Sequence, residues 1–358
     1  MTAEVVETPI IKIIDRVRRE VDDRLAAFLD AHPAPVADRE VAEGYRLLRE
    51  FVVGGGKRIR PTLCYWGWRG AGGDVGPEEP VITVGAALEL YHAGLLVHDD
   101  VMDGSELRRG RPTIHRSLAR QEDRPVGQAF GQSAAILLGA LAQAWADELL
   151  SVAGSDGPGM RAAWRLFDQM RSEVICGQYL DILARACDDG GSERALTVVR
   201  YKTAKYTVER PLQIGGALAG ADPALLEAYS RFGLPLGEAF QLRDDILGVF
   251  GDPSVTGKPV TDDLREGKQT VLIAQAFARA RGPQRERLRA WHGDPGLDER
   301  HAAELRQVIV ETGALAHVES LIDLRVDQAL AALRDCAIPS QASEALTLLA
   351  GRLTHRVL

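Results

Sequence analysis

Residues 89–112 read ELYHAGLLVHDDVMDGSELRRGRP, and the reading of this stretch decides the fold. Leu88, Tyr91, Leu95, Leu96, Val97 and Met102 recur at helical spacing, so most of the segment reads as a core helix. His92, Asp99 and Asp103 stand at i, i+7 and i+11 and share one face of it. Asp99, Asp100 and Asp103 crowd its C-terminal end, where the helix dipole disfavours negative charge. A divalent metal is the neutraliser that suits such a cluster; hard oxygen ligands with room for water favour Mg²⁺, which is commonly shared with substrate phosphates. Gly104 lets the helix stop, and Arg108, Arg109 and Arg111 follow. Guanidinium groups clamp phosphate oxygens, so carboxylates followed by arginines describe a site for a diphosphate. Two plainer readings compete. A solvated acidic helix end would lack both the apolar flanks and the arginines. His98-Asp99 as the metal pair of an HD-type phosphohydrolase would need further His and Asp ligands, and only 8 His are spread through the chain.

A chain of 358 residues can bury a large core, as one domain or two. With 46% hydrophobic and 26% charged residues, it has the composition of a soluble globular protein without a disorder signature. A net charge of −8 argues against nucleic acid as a partner. Cys64, Cys176, Cys187 and Cys336 are scattered without CxxC pairing, the pattern of reduced thiols in a cytoplasmic protein. The first apolar residues are interleaved with Lys12, Asp15, Arg16 and Arg18, so an export signal is not expected. The longest uncharged run, Ser133 to Ala146, falls short of the ~20 apolar residues of a membrane span and reads as a buried core helix.

Helical periodicity runs over residues 10–29, 41–53, 81–102, 131–152, 160–186, 195–219, 224–250, 270–280, 285–291, 299–311 and 315–334. Almost nothing alternates with a period of two, and the Gly/Pro/Asp breaks have the length of ordinary helix connections. The expected architecture is all-α: a single domain over 1–358, a bundle of about ten or more helices around a central cavity.

Further clusters have chemical potential. Gly54-Gly55-Gly56-Lys57-Arg58-Ile59-Arg60-Pro61 is not a P-loop, because Lys57 is not followed by Ser or Thr. Its glycines allow close backbone approach and Lys57 with Arg60 are poised for a phosphate, although a flexible loop with solvated bases reads equally well. Gln178 and Asp181 share a helical face and either cap a neighbouring helix or brace a site; Lys202 and Lys205 lie one turn apart, as a surface stripe would also place them. Gln241, Asp244 and Gly248 share a face of a second helix that ends in an Asp-Asp pair. Two such helices facing each other would put carboxylates on opposite walls of one cavity, around a shared diphosphate. The polar stretch after it suggests a lid carrying Lys258 and Lys268.

In this order, GGGKRIRP at 54–61, HDDVMDGSELRRGRPT at 98–113, GQYLD at 177–181, YKTAKY at 201–206, FQLRDD at 240–245 and the TGK…GK of 256–268 resemble the trans-isoprenyl diphosphate synthases, over nearly the whole chain. The resemblance implies Mg²⁺-dependent head-to-tail condensation of isopentenyl diphosphate with an allylic diphosphate in a homodimer. It implies three Mg²⁺ ions on the allylic diphosphate, two held by Asp99 and Asp103 and a third by Asp244. Arg108, Lys202 and Lys258 look like its cationic clamps, with Lys268 also on substrate, while Lys57, Arg60, His92 and Arg109 match positions that bind isopentenyl diphosphate. Thr203 and Gln241 match polar positions beside the reacting carbons, and Gln178 and Asp181 resemble supports behind them.

Two departures stand out: Gly248 where the second motif usually ends in aspartate, with weakened coordination expected at most, and Ala140 where an aspartate is common. A class I terpene cyclase would carry an NSE/DTE-type second motif and no second substrate diphosphate, and a regulatory subunit of a heteromeric synthase would be expected to lose aspartates of the first motif. For product length, Gly94, five positions before Asp99, cannot block a growing chain that passes Leu95; Tyr91, roughly 12 Å below Asp99 at 1.5 Å per residue, is the expected floor for a C20 product. On this reading Gly94→Phe shortens the product.

Overall fold

The computed structural model describes residues 9–73, 78–120, 127–154, 157–187, 191–252 and 261–354. The chain divides into two compact units, each threaded from three stretches: Met1–Trp164, Pro211–Ala221 and Ile338–Ala345 in the first, and Arg165–Arg210, Asp222–Ala337 and Leu346–Leu358 in the second.

The first unit is built on α1 (Pro9–Asp30), α2 (Arg39–Val53), α3 (Ile59–Gly70), α4 (Glu79–Asp103), α5 (Ile114–Ala119) and α6 (Gln128–Ser151). Helix α4 is its axis. From Val81 to Tyr91 every residue is buried, the condition of a helix apolar all round and enclosed by others. It packs chiefly on α6, with α3 and α1 also against it. Helix α3 lies outside the stretches of helical periodicity; Pro61 falls in its first turn, where a missing N–H costs nothing. Between α4 and α5 a short hairpin pairs β1 (Leu107–Arg108) with β2 (Arg111–Pro112), the only strands among the described residues. Helices α4 and α6 are both long and apolar enough to cross a membrane by length and composition, contrary to the reading of the uncharged run alone. In α4 the apolar window is largely core, whereas α6 leaves Phe130, Ile136 and Leu137 exposed.

The second unit takes most of α7 (Pro158–Cys187), α8 (Ser192–Val198), a π-helical segment (Val199–Glu209), α10 (Pro223–Phe250), α11 (Asp262–Arg265), α12 (Val271–Arg279), α13 (Pro283–Trp291), α14 (Glu299–Glu311), α15 (Ala314–Arg334) and the end of α16 (Ser340–Thr354). The short α9 (Arg210–Leu218) lies mainly in the first unit. Asp222 caps α10 by accepting from Leu225 N at 2.8 Å, with Pro223 at its first position. Leu242, Ile246 and Val249 of α10 then join Val271, Ile273, Leu305, Ile309, Val318 and Ile322 in one core. The 195–219 periodicity, read as one regular helix, passes through the π-helical segment instead.

The seam between α4 and α6 corrects the reading of Gly94. A Cβ on Gly94 would meet the Gly139 carbonyl at 2.7 Å and Gln143 Cγ at 2.9 Å, and one on Gly139 would meet His98 Nε2 at 2.3 Å. Gly94 therefore faces the α6 backbone instead of open space, and two facing glycines let the helices touch. The His98 ring occupies the room above Gly139 and its Nε2 lies 2.9 Å from the Ile136 carbonyl. A phenylalanine at 94 has no cavity to fill. Gly94→Ala is expected to cost about 1–3 kcal/mol by overpacking and Gly94→Phe more, read as a lowered melting temperature; an Ala variant melting like the parent would show that the seam is loose.

Candidate active site

In the first unit the three aspartates are sorted by burial. Asp100 points inward, with its side chain 2% exposed, and its Oδ1 accepts from Arg108 Nε at 2.9 Å and Nη2 at 2.5 Å. Asp99 accepts a weaker contact from the same Nη2 at 3.3 Å. Asp99 and Asp103 are half-buried at the end of α4, four residues apart on one face. Burial opposes the charge of Arg108, but the attraction of Asp100, Asp99 and Asp103 outweighs it and holds the guanidinium above its ordinary pKa.

The hairpin aims the arginines apart. Arg109 and Gly110 form its turn with φ of 54° and 73°, the left-handed pair that a two-residue hairpin of this hand demands. Arg109 thereby lies back over the glycine loop, donating from Nη1 to the Gly55 carbonyl with its guanidinium 5.8 Å from the Phe51 ring centre. Lys57 is exposed in that loop, and its carbonyl accepts from Arg18 at 2.8 and 3.0 Å. Arg58, given no role from the sequence, is the anchor beneath: buried, with φ of 46°, it donates to Asp22 at 2.7 Å, to the buried Glu89 at 3.1 Å and to the Val52 carbonyl at 2.9 Å. A carboxylate at 89 inside an apolar helix was the available signal. Arg60 is buried two residues further on. His92 is held well below its usual pKa by burial and then by Arg60, Arg109, Arg108 and Arg58. The imidazole is thus kept in a cationic surrounding, of the kind that favours an anion.

In the second unit Gly177 lets the α7 backbone reach the π-helical segment: a Cβ there would stand 2.3 Å from Lys202 N. The Lys202 ammonium donates to Asp181 at 2.8 Å, and Arg185 flanks the same carboxylate at 3.7 Å. Lys205 turns elsewhere, to Glu173 at 3.2 Å and Glu209 at 3.3 Å, so the two lysines are not a solvated stripe. Thr203 Oγ1 donates to Gln241 Oε1 at 2.7 Å, and Gln241 Nε2 donates to Asp245 Oδ1 at 2.7 Å. Burial pushes the Asp245 carboxyl up to about 8, with Asp244 and Asp263 adding like charge against the Gln241 bond and Lys268. Lys268 itself donates to Asp263 at 2.8 Å. Lys258 lies outside the described residues.

The polyprenyl synthetase family model matches residues 42–309. The chain belongs to the polyprenyl synthetase family. Geranylgeranyl diphosphate synthase of Mycobacterium tuberculosis is 36% identical over 301 residues, covering 84% of this chain and 78% of that one. Geranylfarnesyl diphosphate synthase of Aeropyrum pernix is 34% identical over 310 residues, covering 86% and 92%. Geranylgeranyl pyrophosphate synthase of Corynebacterium glutamicum, solved with isoprenyl diphosphate and magnesium, superposes with a TM-score of 0.92 at 40% identity, covering 96% and 99%. The all-α expectation holds, and this polyprenyl synthetase is a trans-prenyltransferase performing head-to-tail prenyl condensation.

The donor chemistry of this polyprenyl synthetase fits a hard divalent metal. Among the described residues no three His, Cys, Asp or Glu side chains converge to cage an ion. Paired carboxylates that do not cage an ion by themselves suit a hard divalent metal that completes its shell with water and substrate phosphate.

Asp245 generates a pH prediction. Its folded pKa lies above the ~3.9 of an unfolded aspartate, so the stability tied to its proton is present below about pH 4 and lost as pH rises through about 8. In metal-free buffer the melting temperature of Asp245→Asn should gain on that of the parent progressively between these values. A difference that stays constant from pH 5 to 8.5 would show Asp245 already ionised.

Proposed function

We propose that this prenyltransferase makes geranylgeranyl diphosphate, C20, from isopentenyl diphosphate and an allylic diphosphate, with Mg²⁺ as its metal. The observation that supports the diphosphate reading is the set of aspartates at the end of α4 with Arg108 bonded to them and Arg109 turned over the glycine loop. Lys57, Arg60, His92 and Arg109 bind isopentenyl diphosphate; Arg108, Lys202, Lys258 and Lys268 neutralise the allylic diphosphate. Asp99, Asp103 and Asp244 would hold the metal, three ions in the full reading. Bound there, Mg²⁺ stabilises charge developing on the departing diphosphate.

The residues of the chain do the remaining work. Breaking the allylic carbon–oxygen bond leaves a carbocation and a diphosphate anion, so the guanidinium and ammonium groups act where negative charge grows. Thr203 and Gln241, locked to each other, give the reacting carbons a polar edge of fixed orientation. The double bond of isopentenyl diphosphate attacks the cation, and the proton then lost passes to the released diphosphate. Apolar helix walls keep out water that would quench the cation to an alcohol. The whole chain, 1–358, is taken as one prenyltransferase domain. The exposed apolar face of α6 supports a homodimer, which sedimentation equilibrium tests, and the unpaired thiols support a cytoplasmic site.

Asp99→Ala and Asp103→Ala should each lower turnover by on the order of a hundredfold with melting behaviour unchanged. Parental activity in either purified variant, assayed with and without Mg²⁺, would remove the metal assignment.

Product length is read at Tyr91. With Gly94 closed by α6, the bulky group one turn below is this ring, which is 1% exposed; it supports a C20 floor alongside similarity to two geranylgeranyl diphosphate synthases. Tyr91→Ala should lengthen the product, measured by chromatography of the dephosphorylated alcohols. A C20 profile in that variant would place the floor on other residues.

A further inference from the structure

The acidic motif of α10 ends Asp244-Asp245-Ile246-Leu247-Gly248, with glycine in its fifth position. A Cβ built on Gly248 would lie 2.0 Å from Oδ2 of Asp263 and 3.0 Å from its Cγ. The place of the missing side chain is thus filled by a carboxylate that arrives from α11. No other residue fits at 248 while Asp263 stands there, because a Cβ would fall far inside van der Waals contact with its carboxylate oxygen. Gly248 is one helical turn from Asp244 and shares its face, so that carboxylate arrives on the side of α10 that carries Asp244.

Asp263 is fixed from its other side. Its Oδ1 accepts from Lys268 Nζ at 2.8 Å, and Lys268 N donates back to the Asp263 carbonyl at 3.2 Å, closing the turn that carries both residues. Lys268 also contacts Glu266 at 3.0 Å. Asp263 is 22% exposed, so the carboxylate borders solvent and is not sealed in the core.

We propose that Asp263 supplies the carboxylate that position 248 lacks, as a positioning residue for the diphosphate site at Asp244. It accepts hydrogen bonds from water in the shell of the metal that Asp244 would hold, while Lys268 keeps its orientation and meets the diphosphate. Gly248 is then a relocation of the fifth carboxylate from one helix to the next and not a loss of it. This rests on the metal reading of Asp244 given above.

The test is Mn²⁺ binding to the full chain in the presence of inorganic pyrophosphate, read by electron paramagnetic resonance, with melting temperature as a check of folding. Asp263→Ala, and the shape-preserving Asp263→Asn, should each raise the Mn²⁺ concentration for half-saturation by about tenfold or more, as loss of a supporting group beside a metal does. The double variant G248D/D263A, which returns a carboxylate to the vacated space, should recover most of that loss. Parental binding in D263A and D263N, or a folded double variant that binds as weakly as D263A, would overturn the proposal. Asp244→Ala separates the two levels. If it loses an ion while D263A and D263N bind normally, only the role of Asp263 fails; if it too binds normally, the metal reading fails and takes this proposal with it.

Discussion

Three carboxylates at the wrong end of a helix are the constraint on which the first unit depends. Each lies near the negative pole of α4, at a cost of about 0.3–1 kcal/mol, and they repel one another. Arg108 answers one of them fully: a charge-assisted bond contributes about 1.5–3 kcal/mol, and Asp100 receives two donors from it. Its contact with Asp99 is longer, and Arg109 and Arg116 are engaged elsewhere, with the Gly55 carbonyl and with Glu106. One guanidinium therefore balances the aspartate that faces the core, while Asp99 and Asp103 stand half-buried at the helix end, where a divalent metal would meet them in the proposed site.

The arginine can do this because of a backbone detail. A left-handed Arg109 is strained by roughly 1–2 kcal/mol relative to glycine, and the strain buys opposite directions for adjacent residues. Arg108 turns inward to the aspartates and Arg109 outward to the glycine loop. Without the hairpin both would leave the chain as neighbours on one irregular loop, and Arg109 would lose its bond to the Gly55 carbonyl.

Much of this was legible in the sequence, and the limits are physical. Helical periodicity located α4, α6 and α10 because their apolar spacing is long and regular. It missed α3, whose buried Trp66, Tyr65 and Leu63 surround the helix and leave no polar face to mark a period. It could not see the π-helical segment either, since a register shift of this kind leaves residue spacing in the sequence unchanged. That shift matters to the site: it directs Lys202 to Asp181 and Lys205 to Glu173, where a regular helix reading left both on a common stripe. The acidic motifs were readable as motifs, but the division of labour within each was not. Which of two adjacent aspartates is buried depends on helix rotation, and only packing fixes it. Gly94 failed for the same reason, as a missing side chain reads as space until the neighbour that uses the space is known.

The two acidic helices solve the same electrostatic problem by different means. At α4 the inner aspartate is met by a guanidinium, and both partners can stay charged. At α10 the inner aspartate, Asp245, is met by an amide, the Nε2 of Gln241. An amide cannot balance a buried charge, so the carboxyl rises to about 8 and holds a proton at neutral pH. The consequence is a chain of neutral hydrogen bonds from Asp245 through Gln241 to Thr203, instead of an ion pair. Such a chain orients Thr203 without adding fixed charge beside it. In the proposed site, a full carboxylate there would attract the cationic intermediate to the wall, whereas a neutral polar edge would leave the negative charge where the diphosphate departs.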